Sequence, residues 1–202
     1  MELACLEGVL PGCHVLDLTD AKGAFCAELL SVMGAAVTRI VMPDDVSTEL
    51  VKTADVLLES FDPAFLNARG WGYHELSKIN PRLVMASITP FGQTAPQDNY
   101  PAVDITLQAL CGWMSVTGEP DTPLPLPGCQ AYKTAALFAA NAVMLALWQR
   151  HRTGLGQHID ISIYECVAAT LDDVLVNYFY GGVVSGRRGS RHRRNAFEIF
   201  RC

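Results

Sequence analysis

Short apolar runs alternate with helix-spaced apolar positions through the first hundred residues, and the alternation predicts the fold class. His14-Val-Leu-Asp-Leu-Thr19 reads as a buried strand. Gly23 to Met33 carries Phe25, Leu29, Leu30 and Met33 at helical spacing, and Gly34 follows as a C-terminal stop. Ala36 to Val41, Asp55 to Glu59 and Leu83 to Ile88 read as three more strands, with short helices at Pro63–Ala68 and Tyr73–Ile79. Strands separated by helices predict an α/β domain: a parallel sheet flanked by helices, joined by right-handed crossovers and Rossmann-like in outline.

The second hundred residues are mostly helical. The pattern predicts a short apolar helix from Ile105 to Met114 and a proline-stiffened extended loop from Pro120 to Pro127. An alanine-rich helix follows from Ala131 to His151, packed on most faces. The turn Thr153-Gly-Leu-Gly156 leads into the alternating strand His158 to Ile163 and a helix from Glu165 to Tyr180. Beyond Gly181-Gly182, residues 183–202 form an arginine-rich segment containing Arg187, Arg188, Arg191, His192, Arg193 and Arg194.

Composition narrows the function classes. Of 202 residues 50% are hydrophobic, enough to build a core in one domain over 1–202. The net charge of −6 argues against a nucleic-acid binder. No apolar run reaches the roughly 18–20 residues that a membrane span needs. The start, residues 1–12, lacks a basic segment followed by an apolar stretch, so the expectation is a cytoplasmic protein with neither membrane nor nucleic-acid partners. Seven scattered cysteines without a C-x-x-C pair read as reduced thiols, and no metal site is expected.

Read residue by residue, the chemistry is incomplete. The turn after the first strand, Asp17-Leu-Thr-Asp-Ala-Lys-Gly23, has one glycine where a dinucleotide cradle has three. Asp17 and Thr19 therefore read as a strand-end carboxylate and a helix cap. Phe91-Gly-Gln-Thr-Ala-Pro96 is either an ordinary turn or a place where Gly92 admits a ligand to the backbone and Gln93 offers an amide. Asp104, Glu119 and Asp121 read as helix-capping carboxylates, with a buried base as the alternative. His158 reads as a structural histidine. The arginines read as a solvated loop, or as a grip for an anion or an acidic partner.

In order, the segments resemble the amino-terminal half of the family III CoA-transferases. The resemblance rests on Val15-Leu-Asp-Leu-Thr19, Ala54-Asp-Val-Leu-Leu-Glu-Ser-Phe61, Gly70-Trp-Gly-Tyr73 and Ser87-Ile-Thr-Pro-Phe-Gly-Gln-Thr94. It continues through Asp104 with Gln108-Ala109, Met114-Ser-Val-Thr-Gly-Glu-Pro120 and Arg152-Thr-Gly-Leu-Gly-Gln-His-Ile-Asp-Ile-Ser162. It implies the large Rossmann-like domain of that family, with the small domain absent and the chain truncated or shortened at Cys202. It implies acyl-CoA as substrate, with Lys22, Phe91, Gly92 and Gln93 facing it. Its partner would be a homologous CoA-transferase subunit, a fused second half, or a second copy in a homodimer.

Departures from the family pattern decide the expected mechanism. The family attacks the acyl-CoA thioester with an aspartate at the start of the long helix, forming an anhydride and then an aspartyl-CoA thioester. Tyr132 stands at that position, and a phenol cannot form the anhydride. The racemase branch shuttles protons through a histidine just before the aspartate; here Val103 precedes Asp104. Arginines expected near the CoA are replaced by Asp62 and by Tyr100, and the basic segment expected between the second and third strands is missing from Met42 to Lys52. The first expectation is a degenerate, non-catalytic copy serving a catalytic partner. The alternatives are a racemase-, hydratase- or lyase-like enzyme that uses Tyr132 and Asp104 as acid and base, or a non-enzymatic interaction module.

Overall fold

The computed structural model describes residues 8–41, 45–94 and 102–189. The chain divides into two compact units, the first made of Met1–Tyr100 with Tyr132–Ile163 and the second of Pro101–Ala131 with Tyr164–Cys202.

The first unit holds a parallel sheet of five strands: β1 (His14–Leu18), β2 (Ala36–Arg39), β3 (Val56–Glu59), β4 (Val84–Thr89) and β7 (His158–Ser162), in the order β2-β1-β3-β4-β7. Helices α1 (Ala24–Val32), α2 (Thr48–Thr53), α3 (Phe65–Ala68) and α4 (Tyr73–Ile79) connect the first four strands. β3 and β4 are buried along their whole length, which explains their largely apolar sequences, broken by the buried polar residues Glu59, Ser87 and Thr89. Side chains alternate between faces. Leu16, Leu18, Leu57 and Met85 form one core with Val51 of α2, Leu66 of α3 and Leu76 of α4.

The helix α7 (Gln130–Thr153) also belongs to this unit from Tyr132 onward. Ala131, Ala135, Ala136, Ala139, Val143 and Ala146 are buried along one stripe, while Leu145 and Trp148 are exposed. Its 24 residues make it long and apolar enough to cross a membrane by length and composition alone, which corrects the expectation that no segment is. A core helix with a buried alanine face passes the same test.

Arg150 fixes the direction of α7. Its Nη2 meets Asp55 Oδ1 at 2.9 Å, and its Nη1 donates to the carbonyls of Asp55 at 3.2 Å and Arg82 at 3.1 Å. Those carbonyls lie at the entrances of β3 and β4, so α7 ends at the amino-terminal edge of the sheet. Lys133, 17 residues before Arg150 and so about 26 Å back along the helix, sits 6.0 Å over the ring of Phe25 at the beginning of α1. The turn after α7 is glycine-dependent: a Cβ on Gly156 would lie 1.9 Å from the carbonyl oxygen of Leu83.

The second unit contains α5 (Asp104–Leu110), α6 (Trp113–Val116), the short hairpin β5 (Gly118–Glu119) with β6 (Thr122–Pro123), and α9 (Asp172–Gly181). α8 (Ile163–Ala169) begins at the boundary residue and continues into this unit.

Several expectations need correcting. The helix expected over Ile105–Met114 breaks at Gly112, whose φ of 99° ends α5 and starts α6. The helix expected over Glu165–Tyr180 is α8 followed by α9, separated at Thr170 and Leu171. The extended Pro120–Pro127 loop contains β6, and the link after β2 contains α2, capped where Ser47 accepts the Leu50 N–H. Thr19 does not cap α1: its hydroxyl bonds Asp17, and the N-cap position is Gly23 with no side-chain cap. Cys13, Cys26, Cys111, Cys129 and Cys166 are free thiols, and burial pushes Cys26 up to about 12.

Candidate functional site

The carboxyl ends of β1, β3, β4 and β7 bring together a polar layer at one edge of the sheet, the edge where α/β folds bind ligands. The strand register aligns Leu18 with Glu59, Glu59 with Ser87, and Ser87 with Asp160.

Two features at the β1 end brace the backbone. Asp17 is buried; it accepts hydrogen bonds from the Thr19 N–H and hydroxyl, at 2.9 and 2.6 Å, and pairs with Arg39 at 2.6 Å. In the following turn, Lys22 Nζ pairs with Asp20, which also binds Ser60 through its N–H and its carboxylate. Burial alone raises the Asp20 carboxyl, but the hydrogen bonds from Lys22 and Ser60 outweigh it and hold the group below its ordinary range.

The third feature is Glu59, at the end of β3 and 3% exposed. Its carboxylate accepts the Phe61 N–H at 2.8 Å, a hydrogen bond from Ser87, and the Gln93 side-chain amide at 3.4 Å. Burial pushes its pKa up to about 7, with Ser87, Phe61 and Lys22 opposing the rise and Asp160 adding to it.

Next to Glu59 is the turn of Phe91, Gly92 and Gln93. Gly92 has a φ of 88°, and the Gln93 N–H is shared between both oxygens of Asp160 at 3.0 Å each. Ser87 Oγ lies 2.8 Å from His158 Nε2, and the His158 ring stacks on Tyr73 at 5.5 Å between centroids. Desolvation of that ring lowers the His158 pKa, and Asp160 opposes the shift. His158 is thus a partnered histidine of the sheet. A cavity of about 30 Å³ lies between Glu59, Asp62, Tyr73, Ser87, Gln93 and His158, room for about one water molecule.

Of the expected site residues, Lys22, Phe91, Gly92, Gln93 and Tyr132 lie in the first unit. Lys22 and Gln93 converge on Glu59. Tyr132 is half-buried in the first turn of α7.

Asp104 belongs to the second unit, in the first turn of α5. The amide of buried Gln108 donates to Asp104 Oδ2 at 2.5 Å and to the Leu126 carbonyl at 3.1 Å, while the Leu126 N–H donates back to Gln108 Oε1 at 2.7 Å. One side chain therefore ties Asp104 to the proline-rich loop. Neither Glu119, in β5, nor Asp121, in the hairpin turn, caps a helix.

Arg187 donates to the carbonyls of Met114, Glu119 and Pro120, so it staples its own unit. Arg191, His192, Arg193, Arg194 and Tyr100 lie outside the described residues. Glu59, Ser87, Asp160 and Gln108 escaped the sequence reading as site residues. The available signal was a carboxylate ending an otherwise apolar strand, Val56-Leu-Leu-Glu59.

Residues 42–202 match CoA-transferase family III. The chain belongs to that family. It is 40% identical to the acetyl-CoA:oxalate CoA-transferase of Acetobacter aceti, with 97% of this chain and 61% of that protein covered. Against the succinyl-CoA:(R)-benzylsuccinate CoA-transferase subunit BbsE of Thauera aromatica it is 38% identical, covering 96% of this chain and 45% of that subunit. The crystal structure of a CaiB/BaiF family protein from Brucella suis superposes with a TM-score of 0.87 at 28% identity, covering 94% of this chain and 62% of that one. This family III chain therefore spans about half to three-fifths of the length of these relatives. The parallel α/β sheet expected from the sequence is the sheet observed.

Proposed function

We propose that this chain is a non-catalytic component of a family III CoA-transferase. A homologous partner, whether a second subunit or a fused half, supplies the nucleophilic carboxylate that transfers CoA between an acyl-CoA and a carboxylic acid. The observation that carries the reading is Tyr132 in the first turn of α7, where the family resemblance calls for an aspartate. The relatives add support, since two of them are named as subunits: BbsE and the beta subunit of a succinyl-CoA–L-malate CoA-transferase from Chloroflexus aurantiacus.

Lys22, Phe91, Gly92 and Gln93 are the residues that would face CoA, and the cationic part of that set fits a polyphosphate poorly. Lys22 is already paired with Asp20, and Asp62, which replaces an expected arginine, lines the neighbouring cavity. Loss of free cations weakens a grip on phosphates, so this chain on its own holds CoA weakly.

The test is covalent trapping. After incubation with acetyl-CoA or succinyl-CoA and acid quench, intact-mass and peptide mapping should find no acyl or CoA adduct on residues 130–133. A stoichiometric adduct there would overturn the reading.

A further inference from the structure

We propose that Glu59 is the positioning residue of the Gln93 side chain in the Phe91–Gly92–Gln93 turn, and that a single proton on its carboxyl switches that side chain between a held and a released state while Asp160 keeps the backbone of the turn in place. The inference concerns the turn itself and stands whether or not this chain binds CoA.

The turn is anchored at two points, both carboxylates. Asp160 takes the Gln93 backbone N–H with both oxygens at 3.0 Å. Glu59 takes the Gln93 side-chain amide at 3.4 Å, the long end of hydrogen-bond range. Hydrogen bonds to an ionised acceptor are about twice as strong as neutral ones, so a contact this long depends on the acceptor carrying its charge. The shorter bond from the Phe61 N–H, at 2.8 Å, keeps the carboxyl in place in either state. Gly92 is left-handed with a φ of 88°, so the turn's shape is not set by an ordinary extended backbone.

The surroundings bring the proton into the physiological range. Lys22 faces Glu59 from the turn after β1 and favours its charge; Asp160 faces it from β7 and disfavours it. Lys22 is already paired with Asp20, so its help is divided. Asp62 and His158 share the small cavity with Glu59, and desolvation of His158 favours its neutral form. With burial dominating, the Glu59 carboxyl titrates at about 7.

Proton counting gives the switch a second signature. The Ser87 hydroxyl has one hydrogen. While Glu59 is ionised, Ser87 donates to it, so His158 Nε2 must carry a hydrogen and donate to Ser87 Oγ across the 2.8 Å contact. Once Glu59 is protonated, it donates to Ser87, and Ser87 donates in turn to His158 Nε2. The neutral imidazole then exchanges its Nε2–H tautomer for the Nδ1–H form, with no net charge change on the ring.

NMR titration of the full chain from pH 5.5 to 8.5 tests this. The Glu59 carboxyl carbon, the Gln93 side-chain amide and the His158 ring nitrogens should share one midpoint near pH 7. Glu59→Gln should remove that inflection from Gln93. Gln93→Met, which leaves the buried carboxyl untouched, should by reciprocity raise the Glu59 midpoint. It also keeps the test available if Glu59→Gln does not fold. Gln93 signals that stay flat across the range, or a Glu59 midpoint unmoved by Gln93→Met, would overturn the proposal.

Discussion

Purified alone, this chain is expected to transfer CoA at least about 10⁴-fold more slowly than a family member that keeps the carboxylate, the order of loss seen when an enzyme's covalent nucleophile is removed. The reason is chemical and not merely electrostatic. A carboxylate attacking an acyl-CoA gives a mixed anhydride, which is reactive enough to be opened by the departing CoA thiolate. A phenol attacking the same carbonyl gives an aryl ester, from which no enzyme–CoA thioester can form. The measurement follows CoA exchange from acetyl-CoA or succinyl-CoA to oxalate or benzylsuccinate, acids named for the relatives. Wild type and Tyr132→Phe should be indistinguishable at the background rate. A measurable wild-type activity abolished by Tyr132→Phe would favour the competing reading, in which Tyr132 is an acid–base residue.

The second large effect is on stability. Arg150→Met should destabilise the fold by about 3 kcal/mol, within the range for breaking a largely buried ion pair. The Arg150 side chain is 12% exposed, and its guanidinium serves the Asp55 carboxylate, the Asp55 carbonyl and the Arg82 carbonyl at once. Methionine replaces the aliphatic stem but takes the donor from the Arg82 carbonyl, leaves the Asp55 carbonyl with the Val84 N–H at 3.0 Å, and leaves the carboxylate with the His14 N–H at 2.8 Å. For a chain of this length the loss should lower Tm by roughly 6–12 °C. A double-mutant cycle with Asp55→Asn separates the charge pair from the carbonyl contacts: a coupling below about 0.5 kcal/mol would mean that the ion pair contributes nothing measurable.

The centre of the sheet was legible because β1, β3 and β4 are buried on both faces and so carry largely apolar runs; the edge strands β2 and β7 are more exposed and showed as a mixed run and an alternating one. What was illegible depended on a single local choice. A left-handed Gly112 splits one apolar stretch into α5 and α6, and the six residues of α2 are too few to show a period.

The candidate site was legible only in part, because side-chain partners are set by contacts distant in sequence. Asp20 stands two residues from Lys22, yet the turn that sets it against the ammonium group is held by Ser60, forty residues further on. Arg187 looks like one member of a cationic cluster, yet it is used up on three backbone carbonyls some seventy residues away. Asp104 and Tyr132 stand 28 residues apart and look like one site, but they fall in different compact units. Glu59 shows the converse: an ordinary strand-end glutamate in the sequence becomes the hub of the polar layer once Ser87, Gln93 and Asp160 fold onto it.

The central claim, a non-catalytic chain serving a catalytic homologue, is tested most directly by native mass spectrometry of the protein isolated from its source, with and without acyl-CoA. The account predicts a hetero-oligomer, or a longer fused chain, containing a homologous region with the aspartate, and about one CoA bound per pair of homologous regions. A homodimer of this chain that binds acyl-CoA at every subunit would contradict it.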